Sequence, residues 1–154
     1  MALELSDEIL ISAPRDRVYA ALNDPQILQQ CIPGCEELIQ HSPTDLEAKG
    51  VLKIGPVKAR FGGKVTLDTA GAPAGFSLRG EGSGGVAGFA KGGASVTLED
   101  LGEDTMLRYT ASADVGGKIA QLGSRLILGT ARKLAGNFFE TFAEVMKVQE
   151  AGAD

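Results

Sequence analysis

Few side chains in this sequence have a type and spacing that could do chemistry. The single histidine, His41, stands beside a Ser42-Pro43 turn. A lone imidazole there could act as a general base near neutral pH, but the position reads more simply as an exposed turn residue. With no second histidine, most histidine-based metal sites are excluded. Cys31 and Cys35 flank Ile32-Pro33-Gly34. Two thiols do not complete a tetrahedral zinc site, and a disulfide is not expected in a reducing compartment. They read as two small apolar residues at a helix–strand corner, beside the alternative of a redox or metal role. The run Gly80-Glu81-Gly82-Ser83-Gly84-Gly85 superficially resembles a phosphate-binding loop. Such a loop needs a strand before it and a helix after it, or a following Walker lysine. Here strands are expected on both sides, so a hairpin bend is the reading. The acidic pairs Glu36/Glu37 and Glu99/Asp100 fall near turns, where they are solvated. No serine, cysteine or lysine has an activating neighbour in sequence. The sequence therefore nominates no catalytic residue, no metal site and no cofactor.

Composition narrows the class further. The net charge is −5, and the 15 lysines and arginines form no stripe interleaved with aromatics, which argues against a nucleic-acid partner. No apolar run approaches the roughly 18–20 residues of a membrane span. The opening MALELSDE is acidic, unlike a secretory signal, so a cytoplasmic protein is expected. Glycine is the outlier. Its 21 occurrences in 154 residues are about twice the usual share of roughly 7%. They cluster between residues 55 and 93 and tryptophan is absent, as in a sheet that bends or lines a space. The length suits one domain, 1–149, with a loose tail over 150–154.

The elements that must position these residues follow from periodicity. Residues 2–12 alternate, with Leu3, Leu5, Ile9 and Ile11 on one side, and read as a first strand. Pro14 opens a short helix with Val18, Ala21 and Leu22 inward, and Asp24-Pro25 opens a second that ends at Pro33-Gly34. Six strands follow, over 35–41, 46–54, 57–69, 76–81, 86–99 and 107–115, separated by turn signals such as Ser42-Pro43-Thr44-Asp45 and Gly55-Pro56. A slip of parity at Gly92-Gly93 reads as a bulge. The charged/apolar alternation is that of an antiparallel sheet with one solvated face.

From Gly117 to about Val148 apolar residues recur at helical spacing, and one long amphipathic helix is expected. It is the only element long enough to cover the sheet. Its second half offers Leu134, Phe138, Phe142 and Val145 to the core. Its first half offers small groups, Ala120, Gly123, Ser124 and Ala131, around Ile127. Opposite them the alternation turns Phe61, Leu67, Phe76, Leu78, Val96 and Tyr109 inward. These eleven residues are the candidate ligand-binding set, an apolar lining with Tyr109 and Ser124 as polar handles. Plain core packing is the alternative for each.

The stretches ISAPRDRVYAALNDPQILQQCIPGCEEL and GGKIAQLGSRLILGTARKLAGNFFETF resemble the carbon monoxide dehydrogenase G-subunit (CoxG) family, of the START-like (SRPBCC) helix-grip superfamily. The resemblance covers about residues 3–147. It implies an α+β fold in which a curved seven-stranded antiparallel sheet wraps around the C-terminal helix, with an apolar cavity between them. It also implies an accessory protein to a molybdenum hydroxylase, involved in membrane recruitment of that enzyme or in handling quinones. Many members carry a C-terminal extension that attaches to the membrane, and none is expected in this chain. The expectation is a non-catalytic carrier of a lipophilic small molecule, with peripheral membrane contact and a molybdenum hydroxylase complex as partners. The alternatives are an enzyme of the superfamily, a hydrolase or cyclase using the same cavity, and an assembly factor that acts through its surface.

Overall fold

Alternation of apolar and charged residues becomes seven strands because each strand can bury only one face. The structure, a computed structural model, describes residues 1–152. Strand β1 (Ala2–Ile11) is followed by helices α1 (Arg15–Leu22) and α2 (Pro25–Cys31). Strands β2 (Cys35–Ser42), β3 (Asp45–Ile54), β4 (Val57–Asp68), β5 (Gly75–Ser83), β6 (Phe89–Asp100) and β7 (Thr105–Gly116) come next, and helix α3 (Ser124–Gly152) closes the chain. All neighbouring strands are antiparallel, in the order β1-β7-β6-β5-β4-β3-β2. The sheet curves around α3, the helix-grip arrangement that the resemblance implies.

Local chemistry sets the ends of the short helices. Pro14 is the residue before α1, and Val18, Ala21 and Leu22 are its buried side. The Asp24 carboxylate accepts a hydrogen bond from the Gln26 N–H at 2.9 Å and Pro25 occupies the first turn of α2, where a missing N–H costs nothing. The buried sides of both helices meet Ile11, Val96, Leu98, Leu107, Phe142 and Met146 in the main core cluster. A smaller, separate cluster gathers Ile54, Val115, Ile119 and Ile127 at the other end of α3.

Two expectations need correction. The helix does not begin at Gly117. Residues Lys118–Leu122 form a 3₁₀ segment bounded by Gly117 (φ +81°) and Gly123 (φ +95°), and α3 begins at Ser124. Both glycines take left-handed φ values that a side chain would strain, so they punctuate the chain rather than continue a helix. The bulge at Gly92-Gly93 is also absent. Gly92 pairs with Gly80 and Ala113, and Gly93 with Arg79 and Ser112, without a shift. The alternation slips because Phe89, though apolar, points outward, whereas Ala94, Val96 and Leu98 point inward. At the C-terminus α3 continues through residues 150–152, where the sequence suggests a loose tail; residues 153 and 154 lie outside the described part.

Thr105 is buried completely and its hydroxyl donates a 2.7 Å hydrogen bond to the Ala13 carbonyl, tying the start of β7 to the β1–α1 connection. Thr105→Val keeps the shape but leaves that carbonyl unpaired. It should lower unfolding free energy by about 1–3 kcal/mol in a urea titration.

Candidate functional site

Register across the sheet decides where space is left. On the helix side, one row runs Ile9, Leu107, Leu98 and the next Asp7, Tyr109, Val96, Phe76. Apart from the exposed Asp7, these groups belong to or pack against the main cluster, with Phe142 and Met146 of α3. The following rows are smaller: Leu5, Ala111, Ala94, Leu78, then Leu3, Ala113, Gly92, Gly80, then Val115, Ala90, Gly82, Gly63. Alanine and glycine cannot reach a helix roughly 10 Å above a sheet. Along α3, Ala131, Leu134 and Ala135 are only half-buried and belong to neither core cluster.

An open recess of about 1550 Å³ crosses the same band. On the helix side its walls are Leu3, Leu5, Leu78, Gly80, Gly92, Ala94, Ala111 and Ala113, and α3 contributes Arg132. Most of the lining is of outward parity, with Glu4, Lys64, Arg79, Lys91, Thr110 and Asp114 among it. The volume therefore spans both faces of the sheet and is not that of a space between α3 and the sheet alone. A smaller hollow of about 200 Å³ opens between β1 and α3, walled by Asp7, Ile9, Tyr109, Ala135, Gly136, Phe139, Glu140 and Ala143. There the Tyr109 ring stacks on Phe139 with centroids 5.0 Å apart. Burial, with the Asp7 carboxylate as a smaller influence, pushes the Tyr109 phenol above its ordinary range.

The eleven candidate residues are spread over several environments. Leu78 lines the recess and Tyr109 the hollow beside it. Ala131 is half-buried on α3 and belongs to neither cluster. Leu67, Val96 and Ile127 are buried, Val96 in the main cluster and Ile127 in the smaller one. Phe76 packs on the main cluster edge-on to Tyr19, centroids 5.9 Å apart, while Phe61 and Ala120 pack on the smaller one. Gly123 lies in the turn before α3, and Ser124 is exposed at its first position. The helix-side wall of the recess also holds Leu3, Leu5, Gly80, Gly92, Ala94, Ala111 and Ala113, chiefly small groups of inward parity that lie outside the candidate set. Alternation shows their parity, but small side chains carry no apolar signal of their own.

Of the residues with chemical potential, His41 is exposed and faces Glu47 at 3.3 Å. Cys31 is buried and Cys35 half-buried, both thiols are free, and burial raises both above the usual thiol range. Among the described residues no group of three or more His, Cys, Asp or Glu could hold a metal ion, and no helix is long and apolar enough to cross a membrane.

The model of the carbon monoxide dehydrogenase G-subunit (CoxG) family matches residues 8–147. The chain belongs to that family. A conserved protein from Geobacillus kaustophilus has a crystal structure similar to this CoxG-family chain, with 30% identity, 94% of this chain and 95% of that chain covered, and a TM-score of 0.87. A START superfamily protein from Mycobacterium smegmatis (12% identity, 95% and 98% covered, TM-score 0.73) and the ZhuI aromatase/cyclase from Streptomyces sp. R1128 (12% identity, 96% and 94% covered, TM-score 0.70) share the fold. No curated protein matches the chain.

Two expectations follow from the geometry. A Cβ on Gly92 would lie 2.0 Å from the Ser112 carbonyl oxygen, so Gly92→Ala should destabilise the fold by about 1–3 kcal/mol or more in a urea titration. The raised Tyr109 pKa means that the folded chain holds this proton to higher pH than the unfolded chain. Stability should therefore fall as pH rises from the unfolded value of about 10 through the folded one. Asp7→Asn removes the smaller cause and should make that fall shallower in unfolding measured across this range, without abolishing it.

Proposed function

We propose that this chain is a non-catalytic carrier that holds a lipophilic small molecule, a quinone or lipid, between α3 and the sheet. It serves a carbon monoxide dehydrogenase-like molybdenum hydroxylase as an accessory protein, acting in the cytoplasm. The observation that carries the ligand half of this reading is the gap in the core. Two separate clusters hold α3 at its ends, and the band between them is built from Gly80, Gly92, Ala94, Ala111 and Ala113. An open recess takes in these residues together with the outward side of the same strands. Burial of an aliphatic chain contributes about 0.8 kcal/mol per methylene, so affinity needs little polar recognition. Of the candidate set, Leu78 lines the recess and Tyr109 the hollow beside it, which supports a part for them in this reading. The partner half rests on the family description.

Organic extraction of the purified protein followed by mass spectrometry tests the reading directly. A stoichiometric quinone or lipid is the expected result. Ala111→Phe should fill part of the recess, keep the fold and weaken uptake at least roughly tenfold, the worth of about two methylenes. An empty extract that stays empty after incubation with quinones and lipids would instead favour an assembly factor acting through its surface.

A further inference from the structure

We infer that the free edge of β1, over Ala2–Ser6, is a docking strand for an extended, basic segment of a partner protein. The sheet ends at β1, which pairs with β7 on one side only. The Val115 N–H donates to the Met1 carbonyl at 2.8 Å, and the Met1 amino group donates to the Val115 carbonyl at 3.1 Å. That exchange sets the phase of the ladder. Leu3, Leu5, Asp7 and Ile9 turn their backbone groups towards β7, and Ala2, Glu4, Ser6 and Glu8 turn theirs away from it. Among the described residues, Ala2, Glu4 and Ser6 have no backbone partner on that outer side. The other edge of the sheet is not equivalent. There α2 packs against β2, and the Gln29 side chain donates to the Glu36 carbonyl at 3.1 Å.

The open stretch has a defined end. Asp7 stands at inward parity, where Leu3, Leu5, Ile9 and Ile11 are apolar, and its carboxylate accepts the outward Glu8 N–H at 2.8 Å. An inward charge is one of the devices that keep an edge strand from pairing further, so Ala2–Ser6 is the part left open. The charge of the edge selects what pairs with it. Strand β1 contains Glu4, Asp7 and Glu8 and no lysine or arginine. Glu8 pairs with Arg108, whereas Glu4 and Asp7 form no ion pair among the described residues. The cations that share the recess with Ala2–Ser6, Lys64, Arg79, Lys91 and Arg132, belong to β4, β5, β6 and α3 and not to the edge. A second copy of the chain would bring three more carboxylates to the ladder on its β1 and no cation, so self-pairing is disfavoured. A basic strand complements the edge instead. Pleating then sets its pattern. Side chains beside the half-buried Leu3 and Leu5 lie on the helix side and are apolar, and those beside the exposed Glu4 and Ser6 are lysine or arginine.

The test uses no lipophilic ligand, so its result stands apart from ligand uptake. The probe is a synthetic peptide of alternating lysine and valine, with one of alternating glutamate and valine as its counterpart. In the free protein the Leu5 amide should exchange with deuterium slowly, and the Glu4 and Ser6 amides fast. The lysine peptide should slow exchange at Glu4 and Ser6 and lose that effect in roughly 1 M salt. The glutamate peptide should have no effect. Glu4→Pro removes an N–H with no backbone partner in the chain, so circular dichroism should be unchanged while peptide binding weakens about tenfold or more. Glu4→Lys leaves the backbone intact and should weaken binding by a similar factor, and it carries the test alone if the proline variant does not fold. Absence of binding by the lysine peptide, equal binding of the glutamate peptide, or full binding by the folded variants would overturn the assignment. So would protection of the Glu4 and Ser6 amides that rises with protein concentration alone, which would make a second copy the occupant.

Discussion

A helix lies against a sheet only where side chains bridge the distance between their backbones, and α3 meets that condition at its two ends. Phe142 and Met146 are completely buried against Leu98, Leu107 and Ile11, with α1 and α2 closing the same cluster. Ile127 meets Ile54, Val115 and Ile119 about four turns earlier in the helix. Between these anchors the sheet presents alanine and glycine, and the helix spans the gap without being held. A helix pinned at both ends by large groups does not need support in its middle. The space in the middle is therefore compatible with a stable fold.

The glycines show how one residue type serves two ends here. At Gly92 the backbone of β7 comes so close that no Cβ could stand between them. The same absence of a side chain keeps the inward surface low. Gly80 and Gly82 do not share the first constraint to the same degree, since a Cβ at either would meet its nearest atom at 3.3 to 3.4 Å. Their contribution is to the shape of the space more than to the closeness of the strands. A sheet of this kind gains little from its centre, which places a heavier load on the rows at Leu98, Leu107 and Val96.

Much of the fold was legible because strand alternation and helix capping are local. Pro25 after Asp24, the turns at Pro43 and Pro56, and the inward set on β4 were all readable from neighbouring residues. The break at Gly123 was not. Ile119 in the 3₁₀ segment is buried in the same cluster as Ile127 of the helix, so a single periodicity fits both. Of the candidate site, the sequence indicated the inner face but weighted it towards large side chains. Phe76, Val96 and Leu67 are large, and for that reason they fill the core. The positions that leave room, Ala94, Ala111 and Ala113, carry no signal of their own. They become informative only when register sets them side by side across neighbouring strands, and register is a property of pairings distant in sequence.

The fold is shared by proteins of differing chemistry, among them an aromatase/cyclase, so the architecture alone does not choose between carrier and catalyst. The choice turns on what titratable groups face the interior. Tyr19 packs on the main cluster, and the hollow beside β1 holds Tyr109, stacked on Phe139, with the carboxylates of Asp7 and Glu140. Both burial and the Asp7 carboxylate push the Tyr109 pKa upward, so at neutral pH it is a hydrogen-bond donor and not a base. A proton-abstracting role would require the opposite environment, with a cation nearby to hold the phenolate. A donor at the margin of an apolar band is suited instead to a carbonyl or hydroxyl oxygen on an otherwise aliphatic molecule. In the carrier reading proposed above, Tyr109 would supply the one polar contact that orients a ligand held by its apolar bulk.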